Sequence, residues 1–190
     1  AIEFIKENED HPFFLYLPHS MPHVPLFVPK DAYDPDPKNA FTCTIQHLDT
    51  EIGRLINHVR NSKVSRNTVI IFTSDNGCSP QANFEILKAK NHNPNYIYRG
   101  HKADIYEGGH RVPFFATYPN AFKSGHFDGL SSSLDIFATS LDVAGVKGFN
   151  SERPSDGVIV RSFKLKVMKT WIIGRFFFIA VIIELTIDLV

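Results

Sequence analysis

Six prolines fall between Pro18 and Pro37, in "PHSMPHVPLFVPKDAYDPDP", and they restrict the fold more than any other feature of the chain. Proline has no amide hydrogen and a fixed φ, so neither a helix nor a sheet ladder can run through this stretch; it must be an extended, semi-rigid loop. Loops of this kind carry sites. The run Pro12-Phe13-Phe14-Leu15-Tyr16-Leu17 before it is almost wholly apolar, rich in aromatics and stopped by Pro18, the pattern of a central strand buried on both faces. From Asn39, a candidate N-cap, apolar residues recur at Phe41, Ile45, Leu48, Ile52, Leu55, Ile56 and Val59, which is helical spacing. A second strand is predicted over 68–73, a polar irregular stretch over 79–100 and a third strand over 112–118. A helix is expected over 132–144, with Leu134, Phe137, Ala138 and Leu141 on one face and Gly145 as its stop. Strand, helix, strand, strand, helix implies a layered α/β domain.

The length of 190 residues sets a prior of one domain with a real core. Acidic and basic residues balance at 20 each, so no charge excess draws nucleic acid or an anionic membrane. Cys43 and Cys78 are too far apart for a chelating pair and too few for a disulfide framework. The chain opens Ala1-Ile2-Glu3-Phe4 with neither methionine nor a signal-like segment, and reads as the middle of a longer protein. After Gly157 the composition shifts: Lys and Arg punctuate 158–169, then "WIIGRFFFIAVIIELTIDLV" is dense in apolar residues. This predicts a domain over 1–157 and an atypical apolar tail over 158–190, making few contacts with the core. The unbroken run Phe176 to Ile183 is far short of the roughly 20 residues that span a bilayer, so the tail (171–190 at its most apolar) reads as a strand or an aberrant end.

Chemistry concentrates after the second strand, in "TSDNGCSPQ". Asp75 and Asn76 offer a carboxylate and an amide oxygen at the carboxyl end of a strand, where open α/β sheets place their ligand crevices. Oxygen donors alone favour a hard cation such as Ca²⁺ or Mg²⁺ over zinc. Asp-Asn-Gly is also strong turn chemistry in its own right, and on these residues alone both readings stand.

Two further motifs supply context: Pro22-His23-Val24-Pro25-Leu26, and Arg99 to Pro113, "RGHKADIYEGGHRVP". Together with "PFFLYLPHSMPHVPL", "HLDTEIGRLI", "NTVIIFTSDNG", "YRGHKADIYEGGHRVPF" and "SLDIFATSLDVAGV", five collinear blocks over about residues 10–157, the chain resembles the formylglycine-dependent sulfatases of the alkaline-phosphatase-like superfamily. The resemblance implies the C-terminal part of a sulfatase catalytic domain: a helix-flanked, largely parallel sheet, incomplete at its N-terminus, with its site at the strand carboxyl ends. It implies hydrolysis of a sulfate ester to alcohol and sulfate in the intact protein. The substrate would be a sulfated small molecule or sugar, and the setting secreted, periplasmic or lysosomal.

Carried over residue by residue, the resemblance makes Asp75 and Asn76 ligands of a divalent metal, usually calcium with magnesium as the alternative, whose other carboxylates lie outside this chain. Lys102 would contact the sulfate and the leaving-group oxygen, a role suited to a compact cation. His23 would touch the ester and supply a proton to the departing oxygen. Glu107, Gly108, Gly109 and Arg111 are read as scaffold, the glycines for close packing and the charges as an internal pair. His19, Arg99 and His101 are placed near the cleft without a catalytic role.

Cys78-Ser79-Pro80-Gln81-Ala82 imitates the Cys/Ser-x-Pro-x-Arg motif that the family converts to formylglycine, but Ala82 stands where arginine should be. It also follows the metal motif, whereas the family's nucleophile precedes the strand at 13–17. Cys78 is therefore expected to be a bystander and formylglycine to lie upstream, so the 190 residues alone should be inactive. One alternative is a phosphatase or phosphodiesterase of the same superfamily, against which Asn76 argues, since a zinc enzyme would want His there. The other is a truncated, non-catalytic product.

Overall fold

The computed structural model describes residues 1–120, 122–126, 128–146 and 157, and the backbone of 177–183. Among these described residues five α-helices and four strands follow in the order α1 (Ile2–Asn8), β1 (Phe13–His19), α2 (Ala40–Arg60), β2 (Thr68–Ser74), α3 (Phe84–Ala89), α4 (Glu107–His110), β3 (Phe114–Thr117), α5 (Leu134–Val143) and β4 (Phe177–Ile183). The strands form one mixed sheet in the order β1-β4-β2-β3, with β4 parallel to both β1 and β2, and β3 antiparallel to β2.

β2 holds the layers together because its side chains alternate between two cores. Ile70 joins Ile5, Phe13, Leu55, Val59 and Val64, with Phe72 packed against them, so that α1 and α2 cover one face. Val69 and Ile71 join Ile136, with Phe114, Ala116 and Val143, so that α5 covers the other. Being covered on both sides makes β2 an almost continuous apolar run, and six of its seven residues are buried; the two-sided burial expected of the strand at 13–17 belongs to β2 instead.

β1 departs from expectation. Phe13, Leu15 and Leu17 pack onto the core with α1 and α2, but Phe14 and Tyr16 on the opposite face are about half exposed. Among the described strands β1 lies at the sheet edge rather than the centre. It runs through Pro18 to His19, which an edge strand tolerates because one side of its ladder needs no N–H donor.

The long helix forms as its spacing predicts, but with a different start. Asn39 occupies the cap position of α2 without capping it. Its side-chain amide instead donates to Asp34 Oδ2 at 2.7 Å, and a 3₁₀ turn over Pro37–Asn39, capped by Asp36, leads the chain in. Thr44 takes a fully buried place on the core face, its hydroxyl donating to Ala40 O at 2.8 Å; Ile45 is exposed and Cys43 only half-buried. In α5 the packed residues are Ile136 and Val143, while Leu134 and Phe137 are exposed. Gly145 does stop this helix at φ 71°. Val146 N donates to Leu141 O and Gly145 N to Asp142 O, both near 3 Å, the paired bonds of a Schellman cap.

Two further corrections follow. The stretch 79–100 is not irregular throughout, since it holds a 3₁₀ turn over Pro80–Ala82 and α3. The tail expected to make few contacts with the core supplies β4, paired along its length with β1 and β2. Apolar residues alone do not disclose partners: a strand's place depends on which backbone edges are open to it. The rest of 158–190 lies outside the described residues. Among the described residues no helix is long and apolar enough to cross a membrane.

Candidate active site

β2 delivers its last two side chains, Thr73 and Ser74, to buried positions with their hydroxyls satisfied. Thr73 Oγ1 donates to Pro113 O at 3.0 Å and Ser74 Oγ to Asn76 O at 2.9 Å. The chain then turns, leaving Asp75 exposed and Asn76 half-buried. The Oδ1 of Asn76 is buried without a hydrogen-bond partner. A buried, bare amide oxygen is costly unless something positive meets it, and the residue before it in the chain, Asp75, carries a carboxylate. This donor chemistry suits a hard divalent cation. Two ligands do not make a site, however, and among the described residues no group of three or more His, Cys, Asp or Glu is arranged to hold a metal.

Three glycines lock the next segment in place. Gly77 N donates to Gly109 O at 2.9 Å, Gly108 N to Arg99 O at 2.7 Å and Lys102 N to Cys78 O at 3.1 Å. A Cβ on Gly77 would lie 1.8 Å from Gly108 O, one on Gly108 2.2 Å from Gly100 O and one on Gly109 2.2 Å from Asp104 O. Backbones approach here at a distance that only glycine permits. Glu107 and Arg111 pair at 2.8 Å on the exposed side of α4, so the scaffold reading of "EGGHR" holds for both its glycines and its charges.

The loop that carries Lys102 is thus pinned to the loop that carries Asp75 and Asn76. The Nζ of Lys102 is buried, and the residue precedes Ala103, which adopts φ 73°, an uncommon conformation for a residue with a Cβ. His101 Nδ1 donates to Lys102 O at 2.8 Å and its ring meets the edge of Phe84. Arg99 stacks 3.8 Å over the Tyr106 ring. His19 serves a turn, its Nδ1 accepting from Met21 N at 3.0 Å.

His23 comes from the proline-rich loop, between two cis X-Pro bonds, Met21-Pro22 and Val24-Pro25. Its Nδ1 lies 2.5 Å from Val24 O. A carbonyl can only accept, so Nδ1 carries the proton and Nε2 is left as the exchangeable nitrogen. That Nε2 is buried without a hydrogen-bond partner. Pro22, His23 and Val24 face Cys78 and Ser79 across a cleft of about 20 Å³, room for about one water.

Cys78 sits where the three loops meet and is the least reactive group there. It is 8% exposed and packs with Ala82 and Leu87. Burial pushes its thiol up to about 12, so at neutral pH it is a thiol and not a nucleophilic thiolate. The residue that sequence reading passed over is Asn95. It looks like one more turn residue in "NHNPNY", yet its Oδ1 accepts from Cys78 N at 2.9 Å and its Nδ2 donates to Gly100 O at 3.0 Å. No local signal marks it, because both partners are backbone groups brought close by the fold.

A sheet whose strand end presents Asp and Asn, interlocked through glycines with a lysine loop, defines a class, and comparison with known proteins agrees: the Sulfatase family model matches residues 1–146. The chain belongs to the sulfatase family. It is 31% identical over 162 residues to the N-acetylgalactosamine-6-sulfatase of Sus scrofa, covering 84% of this chain and 29% of that protein. It is 32% identical over 149 residues to the human steryl-sulfatase, covering 76% and 25%. A solved structure from work on glycosaminoglycan metabolism by Bacteroides thetaiotaomicron superposes with a TM-score of 0.75 at 32% identity, over 87% of this chain and 35% of that one. The chain therefore spans between a quarter and about a third of the length of these relatives.

Proposed function

We propose that the protein hydrolyses a sulfate ester, R–O–SO₃⁻ plus water giving alcohol and sulfate, and that Asp75, Asn76, Lys102 and His23 belong to its site. The observation that carries this reading is the convergence on Cys78: the loop bearing Lys102 bonds to its carbonyl, the loop bearing His23 faces it across a small cleft, and Asp75 and Asn76 lie three and two residues before it. Relatives named for sulfate-ester hydrolysis, on N-acetylgalactosamine 6-sulfate and on steryl sulfate, support the class.

Asp75 and Asn76 would hold Ca²⁺, or Mg²⁺ in its place, together with donors from elsewhere in the protein. When bound, such an ion would neutralise charge on the transferred sulfate, and the nucleophile would be a formylglycine outside these residues. Lys102 places a compact positive charge against the sulfate and leaving-group oxygens, where negative charge grows in the transition state. His23, protonated on both nitrogens, keeps Nδ1 on Val24 O and gives the Nε2 proton to the departing alkoxide or phenoxide. The sheet belongs, in this reading, to the largely parallel alkaline-phosphatase-like type. The substrate is a sulfated small molecule or sugar and the setting extracytoplasmic. Measuring hydrolysis of an aryl sulfate and the matching aryl phosphate by the natural full-length protein tests it. Sulfate turnover that falls with Lys102→Ala and with Asp75→Ala is expected; preferential phosphate turnover with a zinc requirement would install the phosphatase alternative.

A further inference from the structure

Five hydrogen bonds tie the Asp75–Cys78 segment to the 95–109 segment and hold the latter together around it. Three are between backbone groups: Gly77 N to Gly109 O, Lys102 N to Cys78 O, and Gly108 N to Arg99 O. The other two are made by the carboxamide of Asn95, accepting from Cys78 N and donating to Gly100 O. Asn95 is half-buried and its own backbone N–H is fixed by Asn93 Oδ1 at 3.2 Å. Its amide therefore spans the gap between the residue two positions after Asn76 and the residue two positions before Lys102, with one hydrogen bond at each end.

From this geometry we propose that Asn95 is a positioning residue: its carboxamide sets the spacing between the metal-ligand loop and the Lys102 loop. The proposal rests on the functional reading above. Shortening the side chain leaves Cys78 N and Gly100 O without their partner and frees the two loops to shift relative to one another. A displacement of about 1 Å between a charge-stabilising group and the reacting centre costs on the order of 10²-fold in rate.

Asn95→Asp is the informative variant, because it keeps the shape and the acceptor while exchanging the donor for a carboxylate that faces the Gly100 carbonyl. Once protonated, the same side chain can donate again. The experiment measures kcat and KM for an aryl sulfate with the natural full-length protein, Asn95→Ala and Asn95→Asp across pH 4–8, normalised to folded protein. The expected result is a kcat lowered at least about tenfold in both variants at pH 7, with KM changed less. For Asn95→Asp the ratio to the unsubstituted protein climbs as pH falls through the carboxyl range, and for Asn95→Ala it stays flat. A kcat per folded molecule within about twofold of the unsubstituted protein in either variant overturns the proposal. So does an Asn95→Asp ratio that does not move with pH, or failure of both variants to fold, which would make the residue structural. If instead Lys102→Ala and Asp75→Ala retain activity, the site assignment itself has failed, and that outcome is separate from the behaviour of Asn95.

Discussion

His23 and Cys78 face each other across one small cleft and carry opposite expectations. Nδ1 of His23 is committed to Val24 O, so its catalytic use depends on Nε2 alone. In the natural full-length protein His23→Ala and Lys102→Ala should each lower kcat by about 10²-fold or more, the usual scale for losing a proton donor or a charge-stabilising group. Cys78→Ala should leave turnover nearly unchanged, and steady-state rates for the three variants check this. The thiol also predicts a pH dependence. Its pKa is raised from 9.0 to about 12 in the fold, so the unfolded chain ionises first. Stability is therefore independent of this thiol below about pH 9, neutrality included, and is lost as pH climbs from 9 toward 12. Iodoacetamide at pH 8 should accordingly label half-buried Cys43 well before Cys78, as peptide mass mapping over time would show; equal rates would mean that Cys78 is more open than its packing allows.

Among the elements, the glycine interlock is the least tolerant of change. Gly77→Ala puts a methyl 1.8 Å from a backbone oxygen, and no rotamer can relieve a contact with the main chain. The substitution should cost about 1–3 kcal/mol or more and separate the Lys102 loop from the Asp75 loop, read as a lower Tm together with a larger loss of activity than of folded protein. Gly53→Ala, on α2 with nothing within 4 Å of the added Cβ, is the control, and should be neutral or slightly stabilising because alanine is the better helix former. α5 offers a similar contrast. Ile136 is buried against Val69 and Ile71, so Ile136→Ala should cost about 2–5 kcal/mol, whereas exposed Leu134 should cost less than about 1 kcal/mol when truncated. Urea melts of the two variants distinguish this packing from the face that helical periodicity proposed.

For the whole molecule, β4 decides whether β1 and β2 belong to one sheet, because each pairs with β4 and neither with the other. Removing residues 158–190 should lower stability and expose the β1 ladder to hydrogen exchange, contrary to the expectation of a tail that makes few contacts with the core. An unchanged melting curve after truncation would restore that expectation. As a stand-alone chain, the 190 residues supply one carboxylate and one amide oxygen from the Asp75 loop, where calcium takes about six to eight oxygens. Calorimetry should give a dissociation constant weaker than about 10⁻³ M; micromolar binding would show that ligands from within these residues complete the site.

Much of this was legible without coordinates, and the reason is physical. β2 and α2 are long enough for burial to impose an apolar pattern on contiguous residues, so their existence could be read from local periodicity. The residues proposed for the site, Asp75, His23 and Lys102, could be named from their motifs because the proposed chemistry depends on residue type. Tertiary structure decided whatever depends on partners distant in the chain. It set β1 at an edge beside β4, turned Ile136 rather than Leu134 and Phe137 onto the sheet, drew Asn39 from its helix to Asp34, and gave Asn95 its two backbone partners. A hydrogen bond to a main-chain amide or carbonyl leaves no mark on the partner's side chain, so no pattern of residue types along the chain encodes it.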